Sequence, residues 1–330
     1  MALFLFVSLY LQAVETENTP SDDTNTDTST TETNSEAVKE TTANNTKKDS
    51  AIQRSVPSSQ AIRMLGLASQ LSKNSSHEMQ TLNFNGEDFL ALFRDATTGD
   101  TQGCIILLHG DNEHPDWPNV IHPIRTKLNE NSWCTLSIEV PDVYPKESIS
   151  IATPFNSIEN ETQEINLPNQ NVIFGRIDTA MDFLDSLEYE TLTLLGHRTG
   201  ASYALKYSAD NALSEGVLII ISPISPSNIN SFDMSQAIES INIPILDYYF
   251  DVSSKEVRFA QERQNAANKR IDKSIIYQQI KALPDQRDQA AGEKRLTQRV
   301  WGFLKQNTQQ KNQQRALPSS SKGLFHKTDF

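Results

Sequence analysis

Six short, unbroken apolar runs dominate the middle of the chain. They are CIILLHG (104–110), CTLSIEVP (134–141), TLTLLGH (191–197), GVLIIISP (216–223), IPILDYYFD (243–251) and the more polar IIYQQIKAL (275–283). Runs of this length without alternation read as strands covered on both faces. Between them, apolar residues recur at helical spacing over 117–131, 172–187, 200–210, 234–240 and 255–267, and a last such stretch at 292–306 closes the series. Strand alternating with helix predicts a mostly parallel sheet with helices on both faces. The polar last run fits an edge strand.

Ahead of this series the pattern differs. SQAIRMLGLASQLSK (59–73) sets Ile62, Leu65, Leu67 and Leu71 at helical spacing. MQTLNF (79–84) and DFLALFRD (88–95) alternate, and Asn85-Gly86 between them is a tight-hairpin dipeptide. The expected fold class is therefore α/β, with antiparallel strands at the N-terminal edge of a mostly parallel sheet. The folded domain is placed at 58–305, a usual size for one domain.

The two ends carry no such pattern. Residues 1–14 contain the apolar run ALFLFVSLYLQAV. It falls short of the roughly 20 residues a membrane span requires and has the length of a secretory signal core. No Lys or Arg precedes it. It is read as a signal-like segment of an exported, periplasmic protein, with retention as an N-terminal membrane anchor the alternative. Membrane contact is expected only there. Residues 15–57, rich in Thr, Asn, Ser, Asp and Glu, have too few apolar side chains to offset chain entropy and are expected to form a disordered acidic linker. Residues 306–330, where Lys311, Arg315, Lys322 and Lys327 stand among Gln and Ser, are expected to be a disordered tail.

Composition narrows the function class. The chain has 29 Lys and Arg against 42 Asp and Glu, a formal net charge of −13. That balance argues against a nucleic-acid partner, which needs a basic face to displace phosphate counterions. No cofactor is expected. The two cysteines, Cys104 and Cys134, begin successive strands and would lie level if those strands were neighbours. Export would permit a disulfide. Adjacent parallel strands are an unfavourable geometry for one, and two small buried apolar side chains are the simpler expectation.

Ligands of open α/β sheets bind beyond the carboxyl ends of the strands, so those residues are the ones to examine. His109-Gly110-Asp111 follows the first parallel strand, where hydrolases of this architecture shape a loop that donates an oxyanion N–H. Gly196-His197-Arg198-Thr199-Gly200 has the spacing and strand-to-helix setting of a nucleophile elbow. Its central residue is Arg198, which stays protonated and cannot attack a carbonyl. Asp247 and Asp251 are available as the acid, but 283–294 (LPDQRDQAAGEK) holds no His. The histidines are His77, His109, His114, His122, His197 and His326. A serine triad is thus missing two members.

His109, Asp111, Glu113, His114 and Asp116 crowd one short loop, but their spacing matches no metal motif. Asp116 followed by Pro118 reads instead as the start of the helix at 117–131. Arg198, at a helix N-terminus, offers a guanidinium fork to an anion; the plainer expectation is an internal salt bridge to Asp111, Asp116 or Asp251. Thr199 and Ser202 flank the elbow tip, and Ser222 ends its strand on the same edge. Trp117, Trp133 and Trp301 read as packing anchors.

LLHGDNEHPDWPNVIHPIRTKLNENSWCTLSIEVPD, GHRTGASYALKY, IPILDYYFD and IIYQQIKALPDQRDQAAGEKRLTQRVWGFL together resemble a bacterial family, the domain of unknown function 3530. The resemblance spans residues 60 to 305. It implies an α/β-hydrolase-like fold, export, an uncharacterised function and an elbow without serine. Arg198 stands where that family usually has a small Gly.

The leading expectation is a protein that binds a small anionic ligand, or an envelope protein partner, through His109, Gly110, Asp111, His197, Arg198 and Thr199. One alternative is a hydrolase of unorthodox mechanism using His109 or His197 with Asp251 and water. Another is an envelope interaction protein tethered by its N-terminal linker.

Overall fold

Eight strands form one sheet in the order β1-β2-β4-β3-β5-β6-β7-β8. The computed structural model describes residues 59–99, 101–143, 166–189, 191–226, 229–283 and 288–308. The segments 1–14 and 15–57, and the tail from 309 onward, lie outside the described residues. β1 (Met79–Phe84) and β2 (Glu87–Arg94) form the expected hairpin, pairing Phe84 with Glu87. Asn85 and Gly86 both take positive φ, 51° and 85°, as a two-residue turn matched to strand twist requires. β2 then pairs antiparallel with β4 (Trp133–Ile138). β3 (Gly103–Leu108), β5 (Leu192–His197), β6 (Leu218–Ile221), β7 (Ile245–Phe250) and β8 (Tyr277–Ala282) complete the parallel part.

Neighbouring residues of each strand face opposite sides, so an unbroken apolar run feeds two cores at once. Ile105, Leu107, Leu195, Ile219 and Leu246 pack under α2 (Ile121–Lys127) and α7 (Gln289–Asn307). Cys104, Ile106, Leu194, Leu218 and Ile245 pack under α3 (Gln170–Asp185), α4 (Thr199–Asp210) and α6 (Ser254–Lys269). α5 (Ser231–Gln236) lies against α6. α1 (Gln60–Asn74) sits on β2 through Leu67 and Leu71. Its buried side is Met64, Leu67 and Leu71; Ile62 and Leu65, expected on that stripe, are exposed.

Two local expectations are corrected. The helix expected from 117 starts at Ile121 and ends in a 3-10 turn, Leu128–Asn131. Asp116 does not cap it. Its carboxylate is taken by Arg125 Nε at 2.9 Å and His122 Nδ1 at 2.9 Å, and Arg125 also pairs with buried Glu78. Pro123 sits in the first turn, where no intrahelical N–H is lost. The cysteines are joined rather than separate: Cys104 and Cys134 are register partners with Cα atoms 4.5 Å apart, within reach of a bridge.

Candidate functional site

β3 and β5 deliver the HG loop and the elbow to the same sheet edge, because they are hydrogen-bonded neighbours. Arg198 sits between β5 and α4 with φ 53° and ψ −119°, a strained conformation for a side-chain-bearing residue. The flanking glycines make it possible. A Cβ on Gly200 would lie 2.4 Å from the Leu108 and His109 carbonyl oxygens, and one on Gly196 would lie 2.4 Å from the Ala201 Cα. Gly110 is equally tight, with a Cβ there 2.8 Å from the Arg198 Cβ. The Arg198 N–H donates to the Ile221 carbonyl, and its own carbonyl accepts from Ile224 and Ala201.

Glu113 organises this edge, and reading the sequence did not single it out. Its Oε2 accepts from the Gly110 N–H at 2.7 Å and lies 2.8 Å from His197 Nδ1. Its Oε1 lies 3.7 Å from Arg198 Nε, and the Arg198 side chain is 49% exposed. Arg198 therefore leans on Glu113, not on Asp111, Asp116 or Asp251. Burial alone would push the Glu113 carboxyl up, but the hydrogen bond and charge of His197, with the Gly110 N–H, outweigh it and hold it below the usual carboxylate range. The only early sign of Glu113 was its place among the crowded donors of 109–116; its partner His197 is 84 residues away.

His109 is buried, with both ring nitrogens engaged. Nδ1 lies 2.9 Å from the Gly110 carbonyl, and Nε2 accepts the Val140 N–H at 3.0 Å. Burial lowers its pKa to about 4, against smaller opposing contributions, so the ring is neutral and structural. The Asp111 N–H donates to Thr199 Oγ1 at 2.6 Å, and the Asp111 carboxylate accepts from the Val143 N–H. Asp251 stands apart, paired with Lys281 at 2.6 Å. Asp247 faces the opposite side of the sheet, buried against Arg263. Ser202 donates to the Ile224 carbonyl. Of the crowded loop, Asp116 is committed to Arg125, and His114 Nδ1 accepts the Asp116 N–H.

An open cleft of about 1010 Å³ adjoins the elbow. His197, Arg198 and Ser222 line it beside the elbow, together with residues of β7, β8 and α7.

This architecture, with an elbow between β5 and α4 and an HG loop beside it, defines an α/β-hydrolase-like protein. The chain belongs to the DUF3530 family, Protein of unknown function, whose family model matches residues 1–306. Among solved structures it is similar to a dienelactone hydrolase from Anabaena variabilis at 14% identity and TM-score 0.50, covering 70% of this chain and 100% of that one. Est1E from Butyrivibrio proteoclasticus is also 14% identical, with TM-score 0.49 over 70% of this chain and 98% of that one. At such identity the likeness to the dienelactone hydrolase carries the fold alone. No curated protein matches the sequence.

Proposed function

We propose that this is an exported α/β-hydrolase-like protein that binds an anionic ligand beside its elbow and does not carry out serine hydrolysis. One observation carries the reading. The two loop N–H groups on the oxyanion side, of Gly110 and Asp111, are already bonded to the Glu113 carboxylate and the Thr199 hydroxyl. Oxyanion stabilisation requires such donors to be free for developing charge. Arg198 at the tip supplies no nucleophile but does supply a half-exposed cation facing the cleft. Export to the periplasm is supported by the signal-like segment 1–14 and by the Cys104–Cys134 bridge, which suits an oxidising compartment. No helix among the described residues is long and apolar enough to cross a membrane.

The test is a thermal-melt titration of the full chain with phosphate, sulfate and acetate. Stabilisation by at least one of these anions is expected, and its loss in Arg198→Ala. Absence of any shift, or an unchanged shift in the variant, contradicts the reading.

A second reading rests on the Glu113–His197 pair. A carboxylate 2.8 Å from one imidazole nitrogen, with the ring at a cleft wall, is how general bases are oriented. Water would then be the nucleophile, with Glu113 in the place first given to Asp251.

A further inference from the structure

The cleft beside the elbow is amphiphilic, and this narrows what it takes. Part of its lining is polar. Ser222 is 8% exposed, with φ 45°, and its Oγ has no hydrogen-bond partner although it lines the cleft. A buried hydroxyl left without a partner costs free energy that a ligand oxygen would recover. Arg295 and Arg299, one turn apart on α7, bring two guanidinium groups to the same cleft. Both act on Tyr248, whose hydroxyl burial pushes up while the two arginines pull it partly back. No salt bridge joins Arg299 to a carboxylate among the described residues. With Arg198 and Lys281 the lining carries four cations against Glu256 and Glu293. Lys281 is already paired with Asp251, and Arg198 leans on Glu113.

The rest is apolar. Tyr248 and Phe250 stack edge to face at 5.5 Å, Ile280 continues that wall along β8, and Val252 and Leu283 extend it to the mouth. Val252 is 57% exposed and Leu283 74% exposed. Large apolar side chains exposed beside a cationic cleft suit a ligand that is itself apolar at one end and anionic at the other.

We infer that the cleft binds a single-chain alkyl carboxylate. The head lies among Arg198, Arg295, Arg299 and the Ser222 hydroxyl, and the chain runs along Phe250, Ile280 and Val252. A guanidinium fork matches the two oxygens of a carboxylate, which favours that head group. This inference rests on the anion-binding reading above and adds the tail.

The experiment is calorimetric titration of the full chain with dodecanoate below its micelle concentration, beside acetate, dodecyl phosphate and neutral dodecyl maltoside. Dodecanoate is expected to bind once per chain, at least about tenfold tighter than acetate. Arg295→Ala/Arg299→Ala changes only exposed side chains and is expected to weaken it by about tenfold or more. Val252→Asp, at an exposed position, is expected to weaken dodecanoate but not acetate. Circular-dichroism melts check that both variants fold. Equal affinity for acetate and dodecanoate overturns the inference and leaves anion binding standing. Binding of none of the anions removes both. Dodecyl phosphate or dodecyl maltoside binding as tightly as dodecanoate overturns the carboxylate assignment, as does dodecanoate affinity unchanged in the arginine variant.

Discussion

Replacing Arg263 by alanine is expected to cost about 3–5 kcal/mol of folding stability, among the largest effects of any single substitution in this fold. Asp247, in the middle of β7, is fully buried, and Arg263 on α6 is 1% exposed. The guanidinium donates to both carboxylate oxygens, at 2.8 and 2.9 Å, and its Cζ lies over the Phe259 ring, 4.5 Å from the centroid. Tyr277 and Gln279 donate to Oδ2 as well, at 2.6 and 2.8 Å. Burial, then the charge of Asp247, pushes the Tyr277 hydroxyl well up, so it remains a donor. Removing the guanidinium leaves a buried charge with two neutral donors. Urea unfolding measures the loss. Asp247→Leu/Arg263→Met, which removes both charges, is expected to lie much closer to wild type. A loss below about 1 kcal/mol in Arg263→Ala would mean that the buried carboxylate is solvated in some other way.

The second large effect is with pH. Burial lowers the His109 pKa from 6.5 to about 4, with the Gly110 carbonyl, then Glu113 and Asp142, opposing and His114 reinforcing. Between these two values the unfolded chain binds a proton that the folded chain refuses, so stability rises with pH. Acidification from pH 7 to 4 is therefore expected to remove about 3 kcal/mol through this one group. His114, also lowered chiefly by burial, acts in the same direction. Glu113, held below the usual carboxylate range, adds a further loss as pH falls below 4.5 toward its folded value. Urea midpoints at a series of pH values test this. His109→Gln, whose amide oxygen can accept from Val140, is expected to flatten the slope whatever it does to stability at pH 7. A slope unchanged by that substitution would show that His109 takes up its proton in the folded state.

Most of the fold is legible in local sequence. Apolar runs as short as CIILLHG, alternating with helical stretches, read as strands shared by two cores, and Asn85-Gly86 specifies its hairpin. The misplacements share one cause, a partner that the local pattern does not mark. Asp116 looks like a helix cap until Arg125 and His122 claim it. Asp247 looks like a catalytic acid until strand parity turns it toward α6. The cysteines look like ordinary core residues until the β3–β4 register sets them level. At the site, the elbow and HG loop are readable because glycines mark them. Glu113 is not, because an acidic loop residue acquires meaning only when β5 brings His197 and Arg198 beside it.

The account turns on the claim that Glu113 and Arg198 close the elbow to acyl chemistry. The most direct measurement is release of p-nitrophenol from a short-chain ester by the full chain and by Arg198→Ser, each with and without His197→Gln. No release above buffer is expected from any of them, since a serine at position 198 leaves the Gly110 and Asp111 N–H groups engaged. Release by the wild type that disappears in His197→Gln would contradict the account and establish a hydrolase built on the Glu113–His197 pair.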